Sequence, residues 1–240
     1  MSRFQVIFFN AGGTLIQLKN TTIPNLYSSI LSSILKKTIS PQDIYIAFRN
    51  ADTWTLSRRN LGSLFSDLDQ RKYQNIFYHS LGIKSRKEIN RIERELAEQL
   101  EMEFVLEDGA FELLNSLENY KLGIISNWDE SLRDILEELE IIDFFDSITI
   151  SSEIGIGKPD HEIFKSALSD FPEFKSKNAI YLGDEYLMDI LPAQELNIFA
   201  ILFDKGPTGM HGIPYQKDKK CISIKKLSEF KEVLKNILKE

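Results

Sequence analysis

The stretch that most narrows what this chain can fold into is its start, FQVIFFNAGGTL from Phe4 to Leu15. An apolar run ends abruptly in Asn10, and Gly12, Gly13 and Thr14 follow. Such a run reads as a strand buried on both faces, the kind found in parallel sheets. The glycine pair reads as a tight turn, because glycine accepts a positive φ without steric cost. In open α/β sheets ligands bind in the crevice beyond the carboxyl ends of the strands. Asn10 to Thr14 are therefore expected on the floor of a site, where their backbone N–H groups could form an anion-binding nest.

Downstream the pattern divides in two. Thr22-Ile23-Pro24 predicts a helix start, with Thr22 as the cap and Pro24 in the first turn. Helical spacing continues through Leu26, Ile30, Ile34 and Leu35, and Ser40-Pro41-Gln42-Asp43 predicts a second start. Two more helices are expected, at about Asp67 to Leu81 and Arg86 to Met102. No strand-like run of note separates them, so residues 18–102 are read as a helical subdomain inserted between two strands of one sheet.

From Leu106 strands and helices alternate. Asp108 is placed as the cap of a helix through Leu117, Lys121 to Ser126 reads as a strand, and Leu132, Ile135, Leu136 and Leu139 mark a helix. A strand through Ile148 and Ile150, a helix from His161 to Phe171 capped by Asp160, and a strand from Ala179 to Leu182 follow. A helix around Asp189 to Leu196 then leads to a strand from Ile198 to Phe203. Such alternation with right-handed crossovers builds a Rossmann-like, doubly wound, mainly parallel α/β sheet, here from residues 1–17 and 103–240. A strand at Cys221 to Ile224 and an amphipathic helix through Leu227, Phe230, Leu234 and Ile237 come last, after a flexible loop at Gly206 to Gly212.

Composition narrows the function classes. With 240 residues, 42% hydrophobic and 27% charged, the chain can bury a sizeable core. A net charge of −7 argues against a general nucleic-acid or anionic-membrane surface, and the C-terminal lysines, interleaved with Leu, Ile, Phe and Glu, read as a solvated helix face. One cysteine, Cys221, excludes an internal disulfide and fits a reducing compartment. His79, His161 and His211 are scattered without metal-ligand spacing. No stretch reads as a signal peptide or a membrane span, so a cytoplasmic location is expected.

Four stretches, taken in order, resemble the motifs of the haloacid dehalogenase (HAD) superfamily across essentially the whole chain. The first motif of that family is Asp-x-Asp-Gly-Thr-Leu/Val after an apolar strand. Gly13, Thr14 and Leu15 match it, whereas Asn10 and Gly12 stand where the two aspartates would be. Gly123 to Asp129, GIISNWD, is similar to the second motif, with Ser126 closing the strand. Lys158-Pro159-Asp160 ahead of a helix is similar to the third, and Gly183-Asp184 with Asp189 five residues on to the fourth. The contexts around Ser126 and Lys158 resemble its haloacid-dehalogenase-like-hydrolase-domain branch most, and the Gly183-Asp184/Asp189 form its Mg²⁺-dependent phosphatases.

The resemblance implies roles. Asn10 and Gly12 fall at the positions of the nucleophile and of the general acid/base. Thr14, Ser126 and Lys158 complete the catalytic set, Ser126, Asn127 and Lys158 bind phosphate, and Asp184 and Asp189 hold Mg²⁺, with Asn10 a weak third ligand. Blander readings stand beside these. Ser126 and Asn127 could simply begin a turn, Lys158 could be an exposed loop lysine, and Asp184 and Asp189 could cap a helix.

Covalent catalysis by a carboxylate needs an anionic oxygen, and an amide has none. A glycine carries no proton, and general acid–base help is typically worth about 10²–10⁴ in rate. The expected protein is a phosphatase-like HAD-fold chain with lost or strongly reduced activity and a retained phosphate and Mg²⁺ site for a small phosphorylated molecule. The alternatives are a hydrolase working by a non-standard route through Asp184, Asp189 or Glu185, and a protein–protein module with a vestigial crevice. In the helical cap, Arg58 and Arg59 are candidates to read a substrate, while Trp54 and Phe65 read as packing residues. Lys72-Tyr73 stands near where that branch tends to have a Trp-Trp pair.

Overall fold

The structure, a computed structural model, describes residues 3–58, 67–206 and 221–239. Its centre, among the described residues, is a sheet of six parallel strands: β1 (Val6–Phe9), β4 (Lys121–Ser126), β5 (Ser147–Ile150), β6 (Ala179–Gly183), β7 (Phe199–Phe203) and β8 (Ile222–Ile224). The spatial order is β5-β4-β1-β6-β7-β8. β1 is buried throughout, and its side chains alternate as a pleat dictates. Ile7 and Phe9 face a layer with Leu113, Leu132, Leu136, Phe230 and Leu234, while Val6 and Phe8 face one with Ile163, Phe164, Ile190 and Ala193. The first layer comes from α5 (Ala110–Asn115), α6 (Ser131–Glu138) and α10 (Phe230–Ile237), the second from α8 (His161–Ser169) and the π-helical turn Tyr186–Ile190 running into α9 (Leu191–Glu195). This is the doubly wound α/β sheet expected.

Among the described residues, four helices lie within residues 18–102, between β1 and β4 in sequence: α1 (Ile23–Leu35), α2 (Pro41–Arg58), α3 (Asp67–Ser80) and α4 (Arg86–Gln99). Thr22 caps α1, accepting from the Asn25 amide at 3.4 Å. At the head of α2, Ser40 and Asp43 bond reciprocally, the Asp43 amide to Ser40 Oγ (3.1 Å) and the Ser40 amide to Asp43 Oδ2 (3.0 Å). The four helices bury a cluster of their own, with Leu31, Ile44, Phe77, Ile89 and Ile92 at its middle.

Several elements differ from expectation. Two short strands, β2 (Ile16–Leu18) and β3 (Phe104–Leu106), pair antiparallel and flank the helical insert. α4 ends at Gln99 rather than Met102. Asp108 does not cap α5: Gly109 occupies that place with φ 81° and no side-chain cap, and the helix ends at Asn115. Asp160 does cap α8, which stops at Ser169. The helix expected at Asp189 opens as the π-helical turn, and no side chain caps α9. One residue of the expected Gly206 to Gly212 loop, Gly206, lies within the described residues. Among the described residues, no helix is long and apolar enough to cross a membrane.

Candidate functional site

The site forms where β1, β4 and β6 end side by side. Phe9 is in register with Ile124 on one flank and Leu182 on the other, so Asn10 leaves the sheet between the ends of both neighbours. The Asn10 amide donates to Leu182 O at 2.8 Å, and the chain turns at once. Gly13 N donates to Ile16 O, while Thr14, Leu15 and Ile16 all donate to Ala11 O. The amides of Asn10, Gly13 and Thr14, three members of the expected nest, are thus spent within the fold.

Four of the residues singled out from the sequence meet around the Asn10 carboxamide. Lys158 Nζ donates to its Oδ1 at 2.9 Å, with Ser126 Oγ 3.5 Å from the same oxygen. Its Nδ2 donates to Gly12 O at 2.8 Å and to Asp184 Oδ1 at 2.9 Å. Thr14 Oγ1 donates to that same Asp184 oxygen at 3.1 Å. The donor-only lysine on one side and the carboxylate on the other fix which end of the amide is nitrogen.

Lys158 is 3% exposed and is no surface lysine. It forms an ion pair with Asp189 Oδ1 at 2.6 Å and donates to Tyr181 OH at 3.2 Å. Tyr181 in turn donates to Asp189 Oδ1 at 2.9 Å, and the Glu185 amide holds Asp189 Oδ2 at 2.9 Å. Burial, and then the charge of Asp189, hold the Tyr181 phenol well above its ordinary value, so it stays a neutral donor. Two glycines let the carboxylates close in. A Cβ on Gly13, whose φ is 77°, would run into the Asp184 carboxylate, and one on Gly183 would lie 2.5 Å from Asp189 Cγ.

Asn127, a phosphate ligand by the resemblance, bonds here to the backbone of Lys158. Its Oδ1 accepts from Lys158 N at 2.7 Å and its Nδ2 donates to Lys158 O at 2.8 Å. The side chain thus straps the lysine loop to the end of β4. Tyr181 was not singled out from the sequence. Its signal was a lone hydroxyl-bearing residue in the otherwise aliphatic run of β6, since a buried tyrosine usually finds a partner.

Above this floor a cavity of about 430 Å³ opens between the sheet and the helical insert. Tyr27, Tyr45, Phe48 and Tyr73 of the insert line it, with Phe104 and Trp128 from below. Arg49 and Asp52 add charge to the same wall, and Tyr73 OH donates to Asp52 Oδ1 at 2.8 Å. Burial first, then Asp52, push the Tyr73 phenol well above its usual value. Arg58 closes α2, but its side chain, Arg59 and Phe65 lie outside the described residues.

The residues present do not fit a magnesium ion as they are arranged. Mg²⁺ needs converging oxygen ligands, yet Asn10 turns hydrogens towards both Asp184 and Gly12 O. Asp189 is taken by Lys158, Tyr181 and Glu185. Among the described residues, no three His, Cys, Asp or Glu side chains are grouped to hold a metal.

A parallel sheet with its polar residues gathered beyond the strand ends, under a helical insert, defines a doubly wound α/β protein. A sequence model of the haloacid dehalogenase-like hydrolase family matches residues 48–203, and the chain belongs to that family. Among curated proteins, the chain is 32% identical over 127 residues to glyceraldehyde 3-phosphate phosphatase of Methanocaldococcus jannaschii, covering 50% of this chain and 51% of that protein. It is 38% identical over 85 residues to the pyrimidine 5′-nucleotidase YjjG of Escherichia coli, covering 35% and 38%. The chain thus spans about half or less of the length of these relatives. Among solved structures, the HAD-hydrolase YfnB from Bacillus subtilis bound to magnesium superimposes with a TM-score of 0.64 at 19% identity, covering 97% of this chain and 99% of that one. A haloacid dehalogenase-like family hydrolase from Xanthomonas campestris gives 0.63 at 15% identity, covering 98% and 92%. At such identities the likeness is one of fold.

Proposed function

We propose that this chain is a HAD-fold protein that has lost covalent phosphoryl transfer and binds a small phosphorylated molecule in the crevice beneath its helical insert. The observation that carries the reading is the Asn10 side chain. By the motif resemblance it falls at the position of the family's nucleophile; it lies at the mouth of β1 and has no anionic oxygen to attack phosphorus. Gly12 supplies no side chain for the leaving group or for water. Ser126 and Lys158, with the Ala11 and Gly12 amides, are the proposed contacts of the phosphoryl group. A neutral residue at position 10 also presents one carboxylate fewer to that anion. The aromatic wall of Tyr27, Tyr45 and Phe48 suits a ligand whose remaining part is flat or apolar. Relatives named for a triose phosphate and for pyrimidine nucleotides agree with a small phosphorylated ligand.

The test is phosphate release from a generic aryl phosphate with Mg²⁺, run on the natural chain beside an Asn10→Asp/Gly12→Asp double variant. Turnover is expected from the double variant and not from the natural chain. Equal, Mg²⁺-dependent turnover by the natural chain would overturn the reading. A thermal-shift screen with phosphorylated metabolites tests binding separately: stabilisation is expected, and weakened by Ser126→Ala, whereas no shift with any of them marks the crevice as vestigial.

A further inference from the structure

The hydrogen bonds of Asn10 have the outline of a coordination site in which protons replace the ion. Its Nδ2 is held between Gly12 O at 2.8 Å and Asp184 Oδ1 at 2.9 Å. An amide nitrogen carries two hydrogens, and each has an acceptor here. Thr14 Oγ1 also donates to that Asp184 oxygen, at 3.1 Å. On the far side, Lys158 Nζ at 2.9 Å from Oδ1 keeps the amide from turning over.

With aspartate at position 10, an oxygen would stand where Nδ2 stands. Three oxygens, from residue 10, Gly12 and Asp184, would then converge with no hydrogen among them. Two carboxylates at that separation disfavour each other's ionisation, and Lys158 on the far side is already shared with Asp189, so a proton or a cation between them relieves the repulsion. The bare turn at Gly13 brings the Asp184 carboxylate too close for a simple retreat towards the backbone.

We infer that the Asn10 carboxamide stands in for a divalent cation, tying Gly12 O to Asp184, so that the site is complete without metal and an Asn10→Asp exchange creates a cation site the natural chain lacks. This goes beyond the proposed ligand binding and does not depend on it, because the cation can be titrated with no phosphorylated molecule present.

The test uses the full chain and Mn²⁺ as a spectroscopic probe. Free Mn²⁺ is followed by its electron paramagnetic resonance signal, and thermal unfolding is measured with and without millimolar Mg²⁺. The natural chain is expected to leave the Mn²⁺ signal and its own melting temperature unchanged. Asn10→Asp, prepared in Mg²⁺ in case it folds poorly without it, is expected to deplete the signal and to melt several degrees higher with Mg²⁺ than with chelator. Depletion by the natural chain that Asp184→Asn abolishes would overturn the inference. So would a folded Asn10→Asp protein that ignores both ions.

Discussion

At the scale of single residues, Lys158 decides whether the site holds its shape. Its ammonium has three hydrogens and three partners, Asn10 Oδ1, Tyr181 OH and Asp189 Oδ1, in a setting almost closed to water. A buried ion pair is weak evidence of net stability, but removing one member strands the other. Lys158→Met should therefore cost about 3–5 kcal/mol, read as a lower urea midpoint. The paired Lys158→Met/Asp189→Leu variant should recover part of that loss, because no uncompensated charge remains. If the single variant unfolds at the natural midpoint, the pair is not buried as described. The lysine was legible in the sequence as Lys158-Pro159-Asp160, yet its partners were only half so. Asp189 was marked by its spacing from Asp184, whereas the Tyr181 hydroxyl signalled only that it needs a partner, since nothing in Ala179 to Leu182 says which face of the strand meets a charge. Asn127 was legible as a residue but not as a strap, because its bonds go to backbone 31 residues away.

At the scale of elements, a side-chain clasp ties α6 to β5, the strand that comes after it. Arg133 on α6 donates to Ile148 O at 3.2 Å and forms a two-pronged pair with Glu153, at 2.7 and 2.9 Å. That guanidinium holds the Glu153 carboxyl below its ordinary 4.5. A carboxyl with a lowered folded pKa contributes stability above its unfolded value, and the contribution is lost as pH falls through the lower one. Arg133→Ala should therefore lower the urea midpoint at neutral pH, by less than about 1 kcal/mol because the pair is largely solvated. That difference should shrink once pH drops below about 4.5. A penalty that stays constant down to low pH would mean that the bond to Ile148 O carries the whole effect. The elements that were readable share a cause with those that were not. β1, β4, β6 and β7 are long apolar runs whose pattern is local. β2 and β3 are three residues each and exist by pairing with one another, Ile16 with Leu106 across nearly the whole insert. No local pattern encodes that.

At the scale of the molecule, the two hydrophobic clusters that flank the sheet share no member with the cluster of the helical insert. The insert is centred on Phe77, which is 4% exposed and stacks against Phe48 at 4.6 Å, Tyr78 at 5.1 Å and Tyr27 at 6.2 Å between ring centroids. The sheet's clusters are built from β1, β4, β6 and the helices on either side. Regions with separate cores open with separate free energies, and amide exchange reads them one by one. Truncating Phe77 to alanine should cost the insert about 3–5 kcal/mol, the transfer term plus the cavity left behind. The consequence should be local: faster exchange across α1 to α4, with the amides of β1, β4 and β6 as protected as before. Phe48 and Tyr27 form the crevice wall as well as the insert's core, so ligand stabilisation of this variant should weaken even though Asn10, Ser126 and Lys158 are untouched. Faster exchange spread evenly over insert and sheet would instead show one cooperative unit, and the crevice would then be a seam within a single core rather than the boundary between two.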